Sequence, residues 1–284
     1  MGNLSARAVQ WTTRWPPVRY RTFSALVSAG FRRYSTYRQA TVAGLCTNIV
    51  FAFLRCYVLL AVASGNGGTV AGYDLETIAT YVWVSQGLIA TVGLWGPVEL
   101  ADRIRTGDVV ADLLRPVPPV ISYLATDLGR AGFAALTRFA GPILVGLLVF
   151  DLYRPHRPAS YPLFLVSVAL AVVICFACRY VVNAAAYWLL DANGPQMSWL
   201  LASNILTGLY FPLPLLPGWL SGLLWWATPF PWQIQAPTDI VVERHSPLGQ
   251  LGLIGGQLVW AVLMLAIASW MQRRGERRMV VQGG

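Results

Sequence analysis

Few residues in this 284-residue chain could do chemistry, and seven of them crowd into one stretch. That stretch is "PVELADRIRTGDVVADLLRPVPP", residues 97–119, with Glu99, Asp102, Arg103, Arg105, Asp108, Asp112 and Arg115. Metal-assisted or acid–base catalysis would need carboxylates gathered on a substrate, or a histidine beside a nucleophile. The pattern here does not supply that: Asp108 and Asp112 stand one helical turn apart and suit a docking face, and no D-D-x-x-D run occurs. His156 and His245 fall in loops between apolar runs, where they are expected to be solvated. Cys175 and Cys178 have C-x-x-C spacing, but no second pair or nearby histidine completes a metal site. Every basic side chain apart from those histidines is an arginine, with no lysine anywhere. A Walker A loop and a Schiff-base enzyme each need a lysine, so neither chemistry can reside in this chain. The expectation is no catalytic residue, no metal site and no cofactor of its own.

What must position these residues is a membrane domain. Hydrophobic residues make up 56%, charged residues 12%, and the mean hydropathy is +0.55; soluble domains carry roughly a quarter charged residues. Crossing a ~30 Å hydrocarbon core takes about 20 apolar residues in a helix. Stretches near that length occur at 41–63, 77–96, 120–150, 161–190, 199–216 and 247–271, the fifth irregular. The expected fold is an all-α integral membrane protein with six transmembrane helices. Its parts would be a basic cytoplasmic or interfacial arm (1–40), the six-helix domain (41–272) and a basic cytoplasmic tail (273–284).

Arginines set the orientation. Seven precede the first span, three lie between spans two and three and four follow the last, while Arg154, Arg157 and Arg244 fall on the opposite side. The positive-inside rule puts both termini and the 97–119 stretch in the cytoplasm. The arm contains arginines, serines and aromatics but no acid, and Ala61–Ala63 resembles a cleavage pattern. The apolar run is too long for a signal h-region, so an amphipathic interfacial helix with Trp11, Trp15, Phe23 and Phe31 at the headgroups fits better.

Some polar residues fall inside the apolar runs. The third run is longer than a bilayer requires, so Asp127 and Arg130 are expected to protrude into the cytoplasm as a local ion pair. Arg179 falls near the cytoplasmic face and is expected to snorkel. Arg55 and Arg138 lie deeper, where a charge is costly unless it snorkels, pairs or faces a wet cavity. They either snorkel or line a substrate path with Asn48, Gln86, Asn183 and Asn204 as companions.

Residues 211–237 contain six prolines and four tryptophans, which no straight spanning helix accommodates. "GWLSGLLWWA" is too short to cross and reads as a re-entrant or interfacial helix held at the outer leaflet by Trp219, Trp225 and Trp226. Gly218/Gly222 and Gly252/Gly256 have the small-xxx-small spacing that permits close helix approach.

In the 97–119 stretch, Leu100, Ile104, Leu113 and Leu114 can form an apolar stripe, Gly107 can break the helix, and Pro116, Pro118 and Pro119 stop it. An interfacial helix is one reading. Four acids against three arginines make poor design for anionic lipid, so a helix projecting toward a soluble partner is the better account. "IRTGDVVADLLRPV" resembles the "IR-x-G … LLRPV" signature of a bacterial subfamily of type-2 ABC exporter permeases, carried by Ile104, Arg105, Gly107, Leu113, Leu114, Arg115, Pro116 and Val117, with "LGRAGFAALTR" following where expected. The resemblance covers essentially the whole chain. It implies that residues 98–114 form a coupling helix docking on an ATPase subunit, and that two short outer re-entrant helices between spans five and six roof the pathway. It further implies two ATPase subunits that bind ATP and Mg²⁺, and a second permease, a sibling protein or an identical copy. It makes the chain an exporter in the bacterial plasma membrane and is silent about cargo: a drug or natural product, peptide, glycan or lipid all remain open, the apolar pathway roofed by tryptophans favours an amphiphile, and no nucleic acid is involved. A membrane-embedded lipid-modifying enzyme or a secondary transporter are the alternatives.

Overall fold

The computed structural model describes residues 18–36, 38–96, 99–189 and 192–278. Among these the chain is almost wholly helical: α1 (Tyr20–Ser35), α2 (Arg38–Gly65), α3 (Leu75–Leu88), α4 (Leu100–Thr106), α5 (Val109–Leu113), α6 (Pro119–Ala134), α7 (Ala140–Val149), α8 (Ser160–Ala184), α9 (Asn193–Leu206), α10 (Gly218–Ala227), α11 (Gln235–Val241) and α12 (Pro247–Glu276). A two-residue antiparallel ribbon pairs Thr69 with Asp74 and Val70 with Tyr73. α6 and α7 form one long rod through the π-helical turn Ala135–Phe139, and a second π turn, Ile89–Gly93, extends α3.

Among the described residues four helices are long and apolar enough to cross a membrane: Thr41–Gly65, Pro119–Val149, Ser160–Tyr187 and Pro247–Glu276. The expected runs at 77–96 and 199–216 are not among them. In the second, α9 ends at Leu206, the chain turns through Gly208 at φ +83°, and Pro212 and Pro214 hold residues 213–215 in a short 3₁₀ turn. The anticipated short helices between α9 and α12 are present as α10 and α11. α10 leaves Trp219 and Trp226 exposed, whereas α11 is buried along nearly its whole length.

α1 packs along α6 rather than merely lying at an interface. Cβ atoms added at Gly30 or Gly129 would overlap the backbone of Thr126 or Val27, so the two helices approach to a distance only glycine permits. Phe31, expected at the headgroups, meets Phe133 edge-to-face at 5.5 Å. Trp11 and Trp15, with residues 1–17 of the basic arm, and the tail beyond residue 278 lie outside the described residues.

α8 and α12 run parallel and are stitched by three amide rungs. Gln250 Nε2 donates to Ser160 Oγ (3.3 Å), Gln257 Nε2 to the Ser167 carbonyl (3.1 Å), and Gln272 Oε1 accepts from the Tyr180 hydroxyl (2.6 Å). The sevenfold spacing of Gln250 and Gln257 matches that of Ser160 and Ser167, so the rungs keep register along one face of each helix. Gly256 takes the Trp232 ring, while Gly218, Gly222 and Gly252 face open space within the chain.

Candidate functional site

The charged stretch folds as a helical hairpin. α4 ends because Gly107 adopts φ +84°, a left-handed conformation that costs other residues about 1–2 kcal/mol, and α5 resumes at once. Leu100 and Val109, one on each arm, are buried in a cluster with Val120, Phe176 and Tyr180. The anticipated stripe is therefore only partly right: Leu100 is buried and Ile104 packs against this cluster, but Leu114 is 76% exposed and Val109, not anticipated, is buried instead.

Asp112 locks the hairpin from within. It is buried, accepts from Arg103 Nε at 2.7 Å and Nη2 at 3.0 Å, takes the Tyr123 hydroxyl of α6 at 2.8 Å, and lies 3.5 Å from Arg115. Partial burial works against the Arg103 charge, but Tyr123 and Asp112 outweigh it and raise its pKa. Arg103 also donates to the Asp108 carbonyl at 3.1 Å. Arg103 and Asp112 are thus internal fasteners. The hairpin presents Asp102, Arg105, Asp108 and the apolar Val110 and Leu114 outward, with Glu99 paired to Arg33 of α1.

Immediately before the hairpin, a second charged cluster grips the turn at residues 90–96. Arg130 donates to the carbonyls of Ala90 (2.6 Å) and Thr91 (3.2 Å), and Arg179 to the carbonyl of Gly96 (2.7 Å). Asp127 joins the two arginines, at 2.7 Å from Arg130 Nε and 2.9 Å from Arg179 Nη2. Gly93, at φ +80°, and Gly96 leave room for the guanidinium groups, which a Cβ at either position would crowd. The expected Asp127–Arg130 pair forms, but buried rather than protruding. Arg179 does not snorkel: its side chain is 2% exposed and points inward. The turn leading to the hairpin is therefore pinned to α6 and α8 at once.

The polar residues anticipated along a pathway separate into several places. Arg55 and Gln86 come together at 2.6 Å, and Arg55 also reaches Ser85 Oγ at 3.2 Å and the Leu209 carbonyl where α9 has ended. Arg138 sits in the π turn with its guanidinium against Gly44 of α2, and Asn48 is buried one helical turn from that glycine. Asn183 accepts from Gln196 at 3.2 Å, and Asn204 from Trp95 at 2.8 Å, so these two bind α8 to α9 and α9 to the chain after α3. Of Trp219, Trp225 and Trp226 only Trp225 turns inward, edge-to-face with Trp232 at 4.8 Å.

Two further networks had no local signal in the sequence. Asp239 accepts from Tyr73 at 2.6 Å and Gln235 at 2.8 Å, while Tyr81 donates to Gln235 and to the Gly208 carbonyl, tying α11 to α3. Glu243 takes four donors from the 153–160 segment: the Tyr153 hydroxyl, the His156 and Arg157 amides and Ser160 Oγ, at 2.7–3.1 Å. Burial would raise its pKa, but these hydrogen bonds prevail and lower it. The same contact, together with burial, pushes the Tyr153 phenol up to about 12. His156 is exposed and His245 half-exposed; among the described residues no three His, Cys, Asp or Glu side chains gather as metal ligands.

Residues 49–283 match the family described as ABC-2 family transporter protein, and the chain belongs to that family. It is thus a multi-pass membrane permease of an ABC transporter, a transport component rather than an enzyme in itself. No curated protein and no solved structure gives a significant match.

Proposed function

We propose that this chain is the permease of an ATP-driven exporter in a bacterial plasma membrane, with both termini cytoplasmic. The α4–α5 hairpin is the face on which an ATPase subunit docks. The observation that carries this is the hairpin's construction: an inward lock at Asp112 and an outward tip bearing Asp102, Arg105, Asp108, Val110 and Leu114. A lever of this kind is effective only if it is stiff, because a ligand shifts a conformational equilibrium solely through contacts that differ between states.

In this reading two ATPase subunits bind ATP and Mg²⁺, and a second permease, a sibling protein, completes the pathway. Together with the four long helices, α3 with its π turn and α9 serve as the second and fifth of six spans. Motion of the hairpin passes through the 90–96 turn to Arg130 and Arg179, and so to α6 and α8 together. The outer helices α10 and α11 roof the pathway, with Trp225 as the inward member of the gate and Trp219 and Trp226 held at the outer leaflet. Arg55 with Gln86, and Arg138 with Asn48, supply the polar spots of an otherwise apolar route suited to an amphiphile.

The test is to co-express the chain with candidate ATPase and permease partners and purify through a tag on this subunit. ATP hydrolysis is then measured in lipid with and without amphiphiles. Co-purified activity that amphiphiles stimulate, and that loses stimulation in Arg105→Ala and Asp108→Ala, is the expected result. A chain that purifies alone and ignores ATP would overturn the proposal and favour the enzyme or secondary-transporter readings.

A further inference from the structure

A cleft of about 260 Å³ opens between α1, the hairpin and the start of α6. Four arginines and three carboxylates line it. Arg33 and Arg115 stand at the mouth, 56% and 58% exposed, Arg103 forms a wall, and Arg130 closes the inner end. Each of the three carboxylates is already engaged. Glu99 pairs with Arg33, Asp112 receives Arg103, Arg115 and Tyr123, and Asp127 receives Arg130 and Arg179. A guanidinium carries five N–H donors, yet the contact of Arg115 with Asp112 is a single one at 3.5 Å. Arg115 therefore keeps donors that the carboxylates do not absorb, with the hydroxyl-bearing Ser122 and Tyr34 also lining the cleft.

We infer that this cleft binds a phosphate group, carried by an anionic lipid headgroup or free in solution. Planar guanidinium forks match phosphate oxygens in pairs, and charge-assisted bonds of this kind are stronger than neutral ones. A lipid headgroup is the source the surroundings favour. The cleft opens beside α1, an amphipathic helix with arginines on its exposed face, where the α6 rod begins. Basic pockets between helices on the cytoplasmic side of a membrane are suited to anionic headgroups. The inference rests on the proposed reading only for the side of the membrane on which the cleft lies, and otherwise goes beyond it: a chain that failed to couple to any ATPase could still hold the phosphate.

The full chain is reconstituted in nanodiscs of phosphatidylcholine with or without phosphatidylglycerol, and co-purified lipid is counted by native mass spectrometry. Thermal unfolding in detergent is followed in parallel with and without inorganic phosphate. Selective retention of phosphatidylglycerol, reduced about tenfold or more in Arg33→Gln/Arg115→Gln but unchanged in Arg105→Gln, supports the inference with lipid as the source. Stabilisation by inorganic phosphate that the double substitution abolishes, without selective lipid retention, supports it with free phosphate as the source. No headgroup preference and no phosphate effect, or an equal loss in Arg105→Gln, overturns it. Should the double variant fold poorly, Ser122→Asp keeps every arginine and sets a negative charge inside the cleft. It should weaken retention similarly, and undiminished retention there would equally count against the site.

Discussion

Arg179 of α8 and Asp127 of α6 meet at 2.9 Å inside the helical body, and the same aspartate carries Arg130 at 2.7 Å. One carboxylate thus offsets two buried guanidinium groups, so the three residues are unequal in consequence.

Asp127→Leu should be the most damaging single change in the cluster, because it strands two cations at once. Removing one partner of a buried pair costs about 3–5 kcal/mol. The expected outcome is loss of folded protein in a detergent thermal-unfolding assay. Arg179→Lys should rescue little, since a lysine cannot serve both Asp127 and the Gly96 carbonyl in a fork. Wild-type unfolding in Asp127→Leu would show that the triad contributes nothing.

Within the hairpin, Arg103 and Arg105 should behave oppositely although they are two residues apart. Arg103→Ala leaves buried Asp112 short of its strongest donor, at a cost of roughly 1.5–3 kcal/mol. Arg105, 70% exposed and 3.4 Å from an equally exposed Asp102, should be replaceable with no measurable change in unfolding temperature. Finding both variants equally stable would contradict the internal lock.

Gly129→Ala should loosen α1 from α6, since the added methyl collides with the Val27 carbonyl and backbone cannot yield as a side chain can. Overpacking of this sort costs roughly 1–3 kcal/mol. Disulfide cross-linking between cysteines placed on α1 and α6 reads the separation directly. Gly218→Ala, which meets open space, is the control expected to have no effect.

The Glu243 contacts should make the 153–160 loop sensitive to acid. Its pKa in the fold lies below the unfolded value of about 4.3, so its stabilising contribution is complete above that value. It is lost as pH falls through the lower, folded pKa. Amide exchange at His156 and Arg157, corrected for intrinsic rate, should speed up in that window. Glu243→Gln should show faster exchange already at neutral pH and no acid step. An unchanged profile in the variant would remove Glu243 as the cause.

Legibility in the sequence depends on the range of the interactions. The break at Gly107, the stop at the prolines after Leu114 and the short helix 218–227 between prolines rest on local backbone chemistry, and the chain adopts them. The four long helices follow from composition alone. Arg179 departs from its expected place because Asp127 lies 52 residues earlier, and depth along a helix does not reveal which way a side chain turns. Gln235 and Asp239 are polar residues in an apolar stretch, but nothing nearby indicates that Tyr73 and Tyr81 meet them. Arg55 and Gln86 can be named as companions because each needs a polar neighbour at similar depth, and they do meet.

The three amide rungs restrict how the molecule can change shape. Sliding α12 along α8 by one turn would strip partners from Gln250, Gln257 and Gln272 together, in surroundings with no water to replace them. Rotation of the two helices as a single spar keeps every rung intact. Any stroke that opens or closes this protein therefore carries α8 and α12 together as one body, with the 90–96 turn pinned to it, and bends instead at breaks such as the π turn Ala135–Phe139 and Gly208.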